Sequence, residues 1–350
     1  MSNSVPVPSS PPRRWLRWCL SAVIVVLVII IAVTLWLWVC LKRPVGAGSA
    51  QVVVVARGES FGRVARELES RRLIRSARAL SLAARMNGAW RKIQFGEYRV
   101  LPSWNALEIL DLLISGKVIL HKVTIPEGFT INKIAAVLAK RGLAEPQSFR
   151  SLALHNAAQF SLPFRLPGAS LEGYLFPDTY YFERYRSSSD LINRMLMRFN
   201  QRIWRGMLAA RSGAALRMSA HQLVTLASLV EGEARKPQER RVIAGVMMNR
   251  LRAGKRLECD ATIQYALGEH KTRLLFVDLK VDSPYNTYLH AGLPPGPINN
   301  PGAAAIDAAL HPQPSPYYYY VARPDGSHIF SRTLQEHLAA IARLKAAGLR

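Results

Sequence analysis

From Trp18 to Leu41 the chain carries no charged side chain, and this run constrains the protein more than any other feature. As a helix rising about 1.5 Å per residue it is roughly 36 Å long, enough to cross the hydrocarbon of a bilayer. Arg13, Arg14 and Arg17 precede it and Lys42 and Arg43 follow it, while Trp15, Trp18, Trp36 and Trp38 are placed for the two interfacial belts. An ordinary cytosolic enzyme is excluded. Gly48-Ser49-Ala50 offers small residues before a cut at Gln51, but the run is longer than the roughly 7–15 apolar residues of a cleavable signal. The expectation is an uncleaved, single-pass signal anchor at 18–41 in contact with membrane lipid. Residues 1–17 are then a cytoplasmic tail, 42–50 a linker, and everything after Pro44 is exported. Cys19 and Cys40 sit near opposite ends of the run and Cys259 is the only cysteine beyond it, so no disulfide framework is available within one chain.

The exported part is basic. Over the whole chain 47 Lys and Arg stand against 23 Asp and Glu, a net charge of +24. Nucleic acid is not the expected partner, because there is no zinc-ligand spacing, no aromatic RNA-binding pattern and no phosphate-cradling Gly-rich loop, and the basic residues are spread throughout. Anionic headgroups or a carboxylate-bearing wall polymer would be attracted by the same long-range field.

About 300 residues follow the span, room for two domains. The first begins with the β-rich run Gln51–Val55, a turn at Arg57-Gly58-Glu59 and a helix capped by Ser60 with Phe61, Val64, Ala65 and Leu68 on one face. A helix at 77–86, a strand at 95–100, a helix at 103–114 and a strand at 118–125 complete a small α+β module, bounded at 51–123. The larger α+β domain, 124–350, has helices expected at 132–141, 189–210, 220–251 and from Thr333 onward. Between His290 and Pro316 the density of Pro, Gly, His and Asn argues against regular helix or central strand, and Tyr317–Val321 reads as a strand.

The chemistry is expected on the helix opening at Ser219. Ser219 and Gln222 have capping-box spacing, and Leu223, Leu226, Ala227 and Val230 make one apolar face. Glu231 and Glu233 then fall on opposite borders of that stripe. A carboxyl half-buried beside apolar groups has its ionised form disfavoured, as a general acid near neutral pH requires. The helical wheel does not choose between them, and surface pairing with Arg235, Lys236, Arg240 or Arg241 stays open. Gly232 between them marks a close approach of another group.

Taken together, Leu226-Ala-Ser-Leu-Val-Glu-Gly-Glu233, Asn249-Arg-Leu251, Tyr285-Asn-Thr-Tyr288, Gly292-Leu-Pro-Pro-Gly-Pro-Ile298 and Asn300-Pro-Gly302 resemble, in order, the signature of the endolytic murein transglycosylases, the YceG-like family. Leu171-Glu-Gly-Tyr-Leu-Phe-Pro-Asp-Thr-Tyr180, Gly96-Glu-Tyr98 and Ile125-Pro-Glu-Gly128 belong to the same pattern. The resemblance implies a fold with one transmembrane helix, a small LysM-like α+β module and a larger α+β catalytic domain. It implies an enzyme of the bacterial inner membrane, N-terminus cytoplasmic and both domains periplasmic, that cuts nascent peptidoglycan strands and so terminates their elongation. Association with wall-synthesis enzymes is implied by the resemblance alone. Glu231 matches the catalytic acid and Glu233 the second acid of the motif. Three positions depart from the pattern: Gly232 where a longer polar residue is usual, Cys259 where Ser is usual and Ala261 where Pro is usual.

In the implied reaction, Glu231 protonates the bridging oxygen of a MurNAc–GlcNAc bond and then, as carboxylate, takes the proton of the same MurNAc's C6 hydroxyl, closing a 1,6-anhydro ring. An internal nucleophile makes a second catalytic carboxylate dispensable. Glu233, Glu172, Tyr285, Asn286, Thr287 and Tyr288 are candidates for holding substrate. His290, His311 and His328 match no standard ligand set, and neither metal nor other cofactor is expected. A muramidase that uses water at the same site, and a non-catalytic glycan-binding scaffold, remain as alternatives.

Overall fold

The structure, a computed structural model, describes residues 13–160, 162, 166, 168–207, 218–269 and 271–348; the part of the expected tail before Arg13 lies outside them. The apolar run is one helix, α1 (Arg13–Lys42). Within it Arg17–Lys42 is long and apolar enough to cross a membrane, with an 18-residue stretch whose mean hydropathy is 3.1. Thr34, the one hydroxyl in its second half, donates back to Ile30 O and Ile31 O, so that hydroxyl does not depend on water. At its end Cys40 is buried and Leu41 packs on the core of the unit that follows.

The chain divides into two units after Ile119. The first contains, after α1, β1 (Gln51–Val55), α2 (Phe61–Ser70), α3 (Ala77–Met86), β2 (Gly96–Val100) and α4 (Ala106–Ser115). β1 and β2 are antiparallel with Val53 opposite Tyr98. Val53, Val55 and Tyr98 face a core completed by Phe61, Val64, Leu68, Leu80, Ile109 and Leu113, the alternation of a strand meeting the 3–4 spacing of helices. Ser60 stands at the N-cap of α2 without a side-chain cap bond, whereas Asn105 and Glu108 close a reciprocal capping box on α4. The buried Tyr98 hydroxyl donates to Gln94 O.

The second unit runs β3 (Leu120–Thr124), α5 (Ile131–Lys140), α6 (Pro146–His155), β4 (Thr179–Glu183), α7 (Ser188–Phe199) with a π-helical turn at Asn200–Trp204, α8 (Ala220–Glu233), α9 (Arg240–Arg252), α10 (Asp260–Leu267), α11 (Ala303–Leu310), β5 (Tyr319–Ala322), β6 (His328–Ser331) and α12 (Leu334–Ala346). β3 pairs antiparallel with β4, Val123 opposite Tyr180. The strand expected to close the small module at 123 therefore belongs to the second unit, and the division falls at 119. β5 pairs with β6, and α12 packs on both.

α8 is the centre of the second unit. Every residue from Leu223 to Val230 is buried, so the helix is enclosed all round rather than along the one stripe that its periodicity suggested. α9, α10 and α11 pack on it, the last through the small, fully buried Ala305, Ala308 and Ala309.

Three other expectations are corrected. The single helix expected over 220–251 is broken, because Ala234 (ψ 106°) and Lys236 (ψ 123°) are extended and Pro237, without an N–H, opens a 3-10 turn ahead of α9. The stretch 290–316 contains α11, since its Pro and Gly residues flank Ala303–Leu310 and leave that segment free of both. The helix expected over 189–210 passes into the π-helical turn after Phe199; residues 208–210 lie outside the described residues.

Candidate active site

Glu231 projects from the last turn of α8, its side chain only 8 % exposed. Three pieces of chain converge on it. Gly302 N, just ahead of α11, donates to its Oε2 at 3.0 Å. Arg240 Nη2, at the start of α9, lies 3.4 Å from its Oε1. Gly128, in the turn between β3 and α5, lies beside its aliphatic stem: a Cβ there would stand 3.6 Å from Glu231 Cγ. The same Arg240 nitrogen is 3.7 Å from Oε2 of Glu127, whose side chain is half-exposed. Burial pushes the Glu231 carboxyl above the usual carboxylate range. The Gly302 N–H and the Arg240 guanidinium pull it back, and the Glu127 charge adds to the rise. A buried carboxyl with this balance keeps its proton to a higher pH than a free one and can release it to an acceptor alongside.

The motifs that line up in sequence are joined in space by hydrogen bonds. Phe129 and Asn300 form an isolated bridge, with Gly128 N donating to Asn300 O and Asn300 N to Phe129 O. The Asn300 amide donates to Phe129 O and to Glu172 Oε1, and its oxygen accepts from Leu175 N. Glu172 also accepts from Ile131 N, the first residue of α5. It is buried, which pushes its carboxyl up to about 8 against those two stabilising donors. The 292–302 loop is fixed to α8 by Ser228 Oγ, which accepts from Ile298 N, and by Asn299 Nδ2, which donates to Ser228 O. His221 bridges the same loop to the Glu172 segment: one ring nitrogen meets Tyr174 Oη at 2.8 Å, the other Pro295 O at 2.9 Å. A carbonyl only accepts, so Nε2 carries the proton and Nδ1 accepts from tyrosine. Gly173, at φ +90°, allows the close contact, because a Cβ there would stand 2.5 Å from the Pro297 ring.

Glu233 faces elsewhere. Its Oε1 accepts from Cys259 Sγ at 2.9 Å and from Ala261 N at 3.3 Å. Burial raises its pKa, the Cys259 thiol lowers it and the neighbouring Asp260 charge raises it again. Burial, and next the Glu233 charge, push the Cys259 thiol well up. The three departures from the family pattern thus meet at one place. Gly232 packs on Ala261, where a Cβ at 232 would stand 2.8 Å from the Ala261 Cβ, and proline at 261 would have no N–H for Glu233. On this side a cavity of about 430 Å³ opens, walled by Glu233, Arg250, Asp260, Tyr288, Tyr320 and His328 among others.

The remaining expected substrate contacts divide. Tyr288 and Tyr285 are half-buried; Tyr288 Oη donates to Asp260 Oδ1, and Tyr285 packs on Tyr265. Asn286 and Thr287 are fully buried. The Asn286 amide donates to Leu279 O and Val281 O. Thr287 Oγ1 accepts from Cys259 N and meets Thr262 Oγ1, which is itself committed to Cys259 O. Asn286, Thr287 and Glu172 spend their hydrogen-bonding capacity on the protein, and hold loops instead of facing a ligand. Of the histidines, His328 Nδ1 meets Glu239 Oε2 at 2.7 Å, His311 Nδ1 meets Asp307 Oδ1 at 3.0 Å, and His290 is exposed. Sequence reasoning gave Arg240 only as a surface partner and passed over Glu127, Gly302, Asn300 and His221. The signal available was that Glu127, Asn300 and Gly302 lie inside quoted motifs without an assigned role.

Residues 53–343 match the YceG-like family. An endolytic murein transglycosylase of Bacillus subtilis (strain 168) is 34% identical over 81% of this chain and 81% of its own length. One of Streptococcus pneumoniae (strain ATCC BAA-255 / R6) is 28% identical over 84% of this chain but 58% of its own. In the crystal structure of a yceG-like protein from Listeria monocytogenes, a 32% identical chain matches over 84% of this chain and all of its own, with a TM-score of 0.52. With a family match over 53–343 and a relative 34% identical over 81% of both chains, the chain belongs to the YceG-like family.

Proposed function

We propose that this protein is a membrane-anchored peptidoglycan lytic transglycosylase in which Glu231 is the proton-transferring residue. The observation that carries the reading is the Glu231 environment: a carboxyl whose burial favours the protonated form, beside half-exposed Glu127 and within reach of one backbone N–H. Glu231 donates its proton to the oxygen bridging MurNAc to GlcNAc as the C1–O bond breaks. The C6 hydroxyl of the same MurNAc then attacks C1 and returns its proton to Glu231, leaving a GlcNAc hydroxyl and a 1,6-anhydro-MurNAc end. No water is consumed, and one carboxyl serves as acid and then as base. Since the first step needs the protonated form, cleavage is fastest below the Glu231 pKa and falls as pH rises through it.

α1 anchors the enzyme in the inner membrane with the tail inside and both units in the periplasm, where cutting nascent strands terminates their elongation and brings the enzyme beside wall-synthesis enzymes. The strand–helix–helix–strand order of β1, α2, α3 and β2 supports a LysM-like, glycan-holding role for the first unit. Tyr285 and Tyr288 are placed to meet glycan; Glu172, Asn286 and Thr287 act by holding the loops around it.

The cavity beside Glu233 favours a second reading, with Glu233 as the acid. Digests of purified peptidoglycan by the wild type, Glu231→Gln and Glu233→Gln, read by mass spectrometry, separate the possibilities. Chain ends lighter by one water, made by wild type and Glu233→Gln but not by Glu231→Gln, are the expected result. Reducing MurNAc ends would make the enzyme a hydrolase, and undiminished cleavage by Glu231→Gln would move the acid to Glu233. A folded wild type that binds strands without cutting them would be a scaffold.

A further inference from the structure

Glu127, Arg240 and Glu231 come from three different parts of the second unit and meet at a single guanidinium nitrogen. Arg240 Nη2 is 3.4 Å from one carboxylate and 3.7 Å from the other. Its Nε is buried and makes no hydrogen bond among the described residues, and the other end of the guanidinium is held between the two carboxylates. Glu127 is placed there by two features. The 127–129 turn is tied to Asn300 by the paired backbone bonds of the Phe129–Asn300 bridge. Its carboxylate then lies over the bare Cα of Gly302, in space that a Cβ would take to within 1.9 Å of Oε1. Gly302 thus offers an N–H to Glu231 and vacates the place of a side chain for Glu127.

We propose that Glu127 is a positioning residue for the chemistry at Glu231: it takes up part of the charge of Arg240, so that the guanidinium orients the Glu231 carboxyl without holding it as a tight ion pair. The inference rests on Glu231 being the proton-transferring group. A guanidinium facing a single carboxylate fixes it in the ionised form; one shared between two does so less. The charged groups around Glu231 fit this account. Arg240 comes from α9 and Glu127 from the turn before α5. The approach to α11 contributes only the Gly302 N–H, since Asp307 of α11 pairs with Arg241 and His311. On α8 itself, Glu233 is turned to Cys259 and Ala261. The Glu127 charge is also among the causes that raise the Glu231 pKa.

Removing the Glu127 charge should leave Arg240 to Glu231 alone. Glu127→Gln is expected to shift the falling limb of the pH–cleavage profile down by about one unit, making cleavage about tenfold slower above the limb and little changed below it. Glu127→Gln/Arg240→Gln, which removes both charges, should return the limb toward the wild-type position. A loss of rate equal at all pH values, or a limb that the double variant does not restore, would make Glu127 a merely structural residue and overturn the proposal. A second measurement does not depend on turnover. In the full chain labelled with 13C at glutamate carboxyls, the Glu231 resonance, assigned by its disappearance in Glu231→Gln, should titrate at lower pH in Glu127→Gln than in wild type. An unmoved midpoint sinks the proposal even if the enzyme cuts glycan. A moved midpoint in a protein that cuts nothing would show the charge sharing at Arg240 while overturning the transglycosylase reading, and with it the role of Glu127 in chemistry. Should Glu127→Gln fold poorly, Glu127→Ser carries the same comparison.

Discussion

Glu231 and Glu233 leave the same turn of α8 two residues apart, and burial raises the pKa of both, yet the regions they enter are built differently. The Glu231 side is assembled from distant chain: a turn near 128, the start of α9 and the approach to α11. It keeps charges of both signs around one backbone N–H. The Glu233 side gives its carboxyl the weak thiol donor of Cys259 and the Ala261 amide, with the charges of Asp260 and His328 acting from farther off. A carboxyl that faces a guanidinium shared with a second carboxylate can change protonation at small cost, whereas one hydrogen-bonded by fixed neutral donors is held in place. The difference teaches that burial alone does not mark a catalytic acid; what faces the buried group does.

The contrast can be broken most decisively at Glu231. Glu231→Gln keeps shape and removes the transferable proton, so cleavage of purified glycan strands should fall by roughly 10² to 10⁴, about 3–5 kcal/mol of barrier, with the circular dichroism spectrum unchanged. Equal losses from Glu231→Gln and Glu233→Gln would erase the distinction.

A third buried carboxyl sharpens it. Glu172, pushed up to about 8, binds its proton more tightly in the folded chain than in the unfolded one. Its contribution to stability is therefore complete below the ordinary value of 4.5 and is lost as pH rises toward 8. Denaturant unfolding should show the second unit losing a few kcal/mol between pH 5 and 8. Glu172→Gln, which can still accept from Ile131 and Asn300, should flatten that slope; an unchanged slope would assign it to other groups.

Smaller effects belong to the Glu233 side. Glu233→Gln should slow cleavage only several-fold, on the order of 1 kcal/mol, by leaving one donor imperfectly matched; a loss as large as that of Glu231→Gln would promote Glu233 to the chemistry. Cys259→Ser keeps a donor to Glu233 and should change the unfolding free energy by less than about 1 kcal/mol. The native thiol, buried and with its pKa well raised, should resist alkylation until the chain is unfolded. Rapid labelling of the folded protein would show that this side is open to solvent.

How much of this was legible follows the range of each interaction. The apolar N-terminal helix, the first unit's helices and the cap at Ser219 depend on residues within a few positions of one another, and periodicity reports them. The choice between the two glutamates does not. Both border the apolar stripe, and the partners that distinguish them, Glu127 and Gly302, are about a hundred and seventy positions apart. The break at Pro237 was readable and was overridden by apolar spacing on both sides. α11 was hidden because Pro and Gly on its flanks dominate a window wider than its one Ala-rich segment. Asn286 and Thr287 look like ligand contacts by residue type. Only the fold shows that their capacity is already used.

The position of Glu231 in the final turn of α8 has a further consequence. There the free carbonyls of the last residues form the negative end of the helix dipole, which disfavours an anion by about 0.3–1 kcal/mol. Few places on a helix suit a carboxylate less, and burial adds to the penalty. The fold thus carries this carboxyl where its own electric field works against ionisation: the bias toward the protonated form, which the proposed chemistry needs, weakens the native state. Selection for stability alone would replace Glu231 with a neutral residue, and chains so altered should unfold at no lower temperature than the active enzyme.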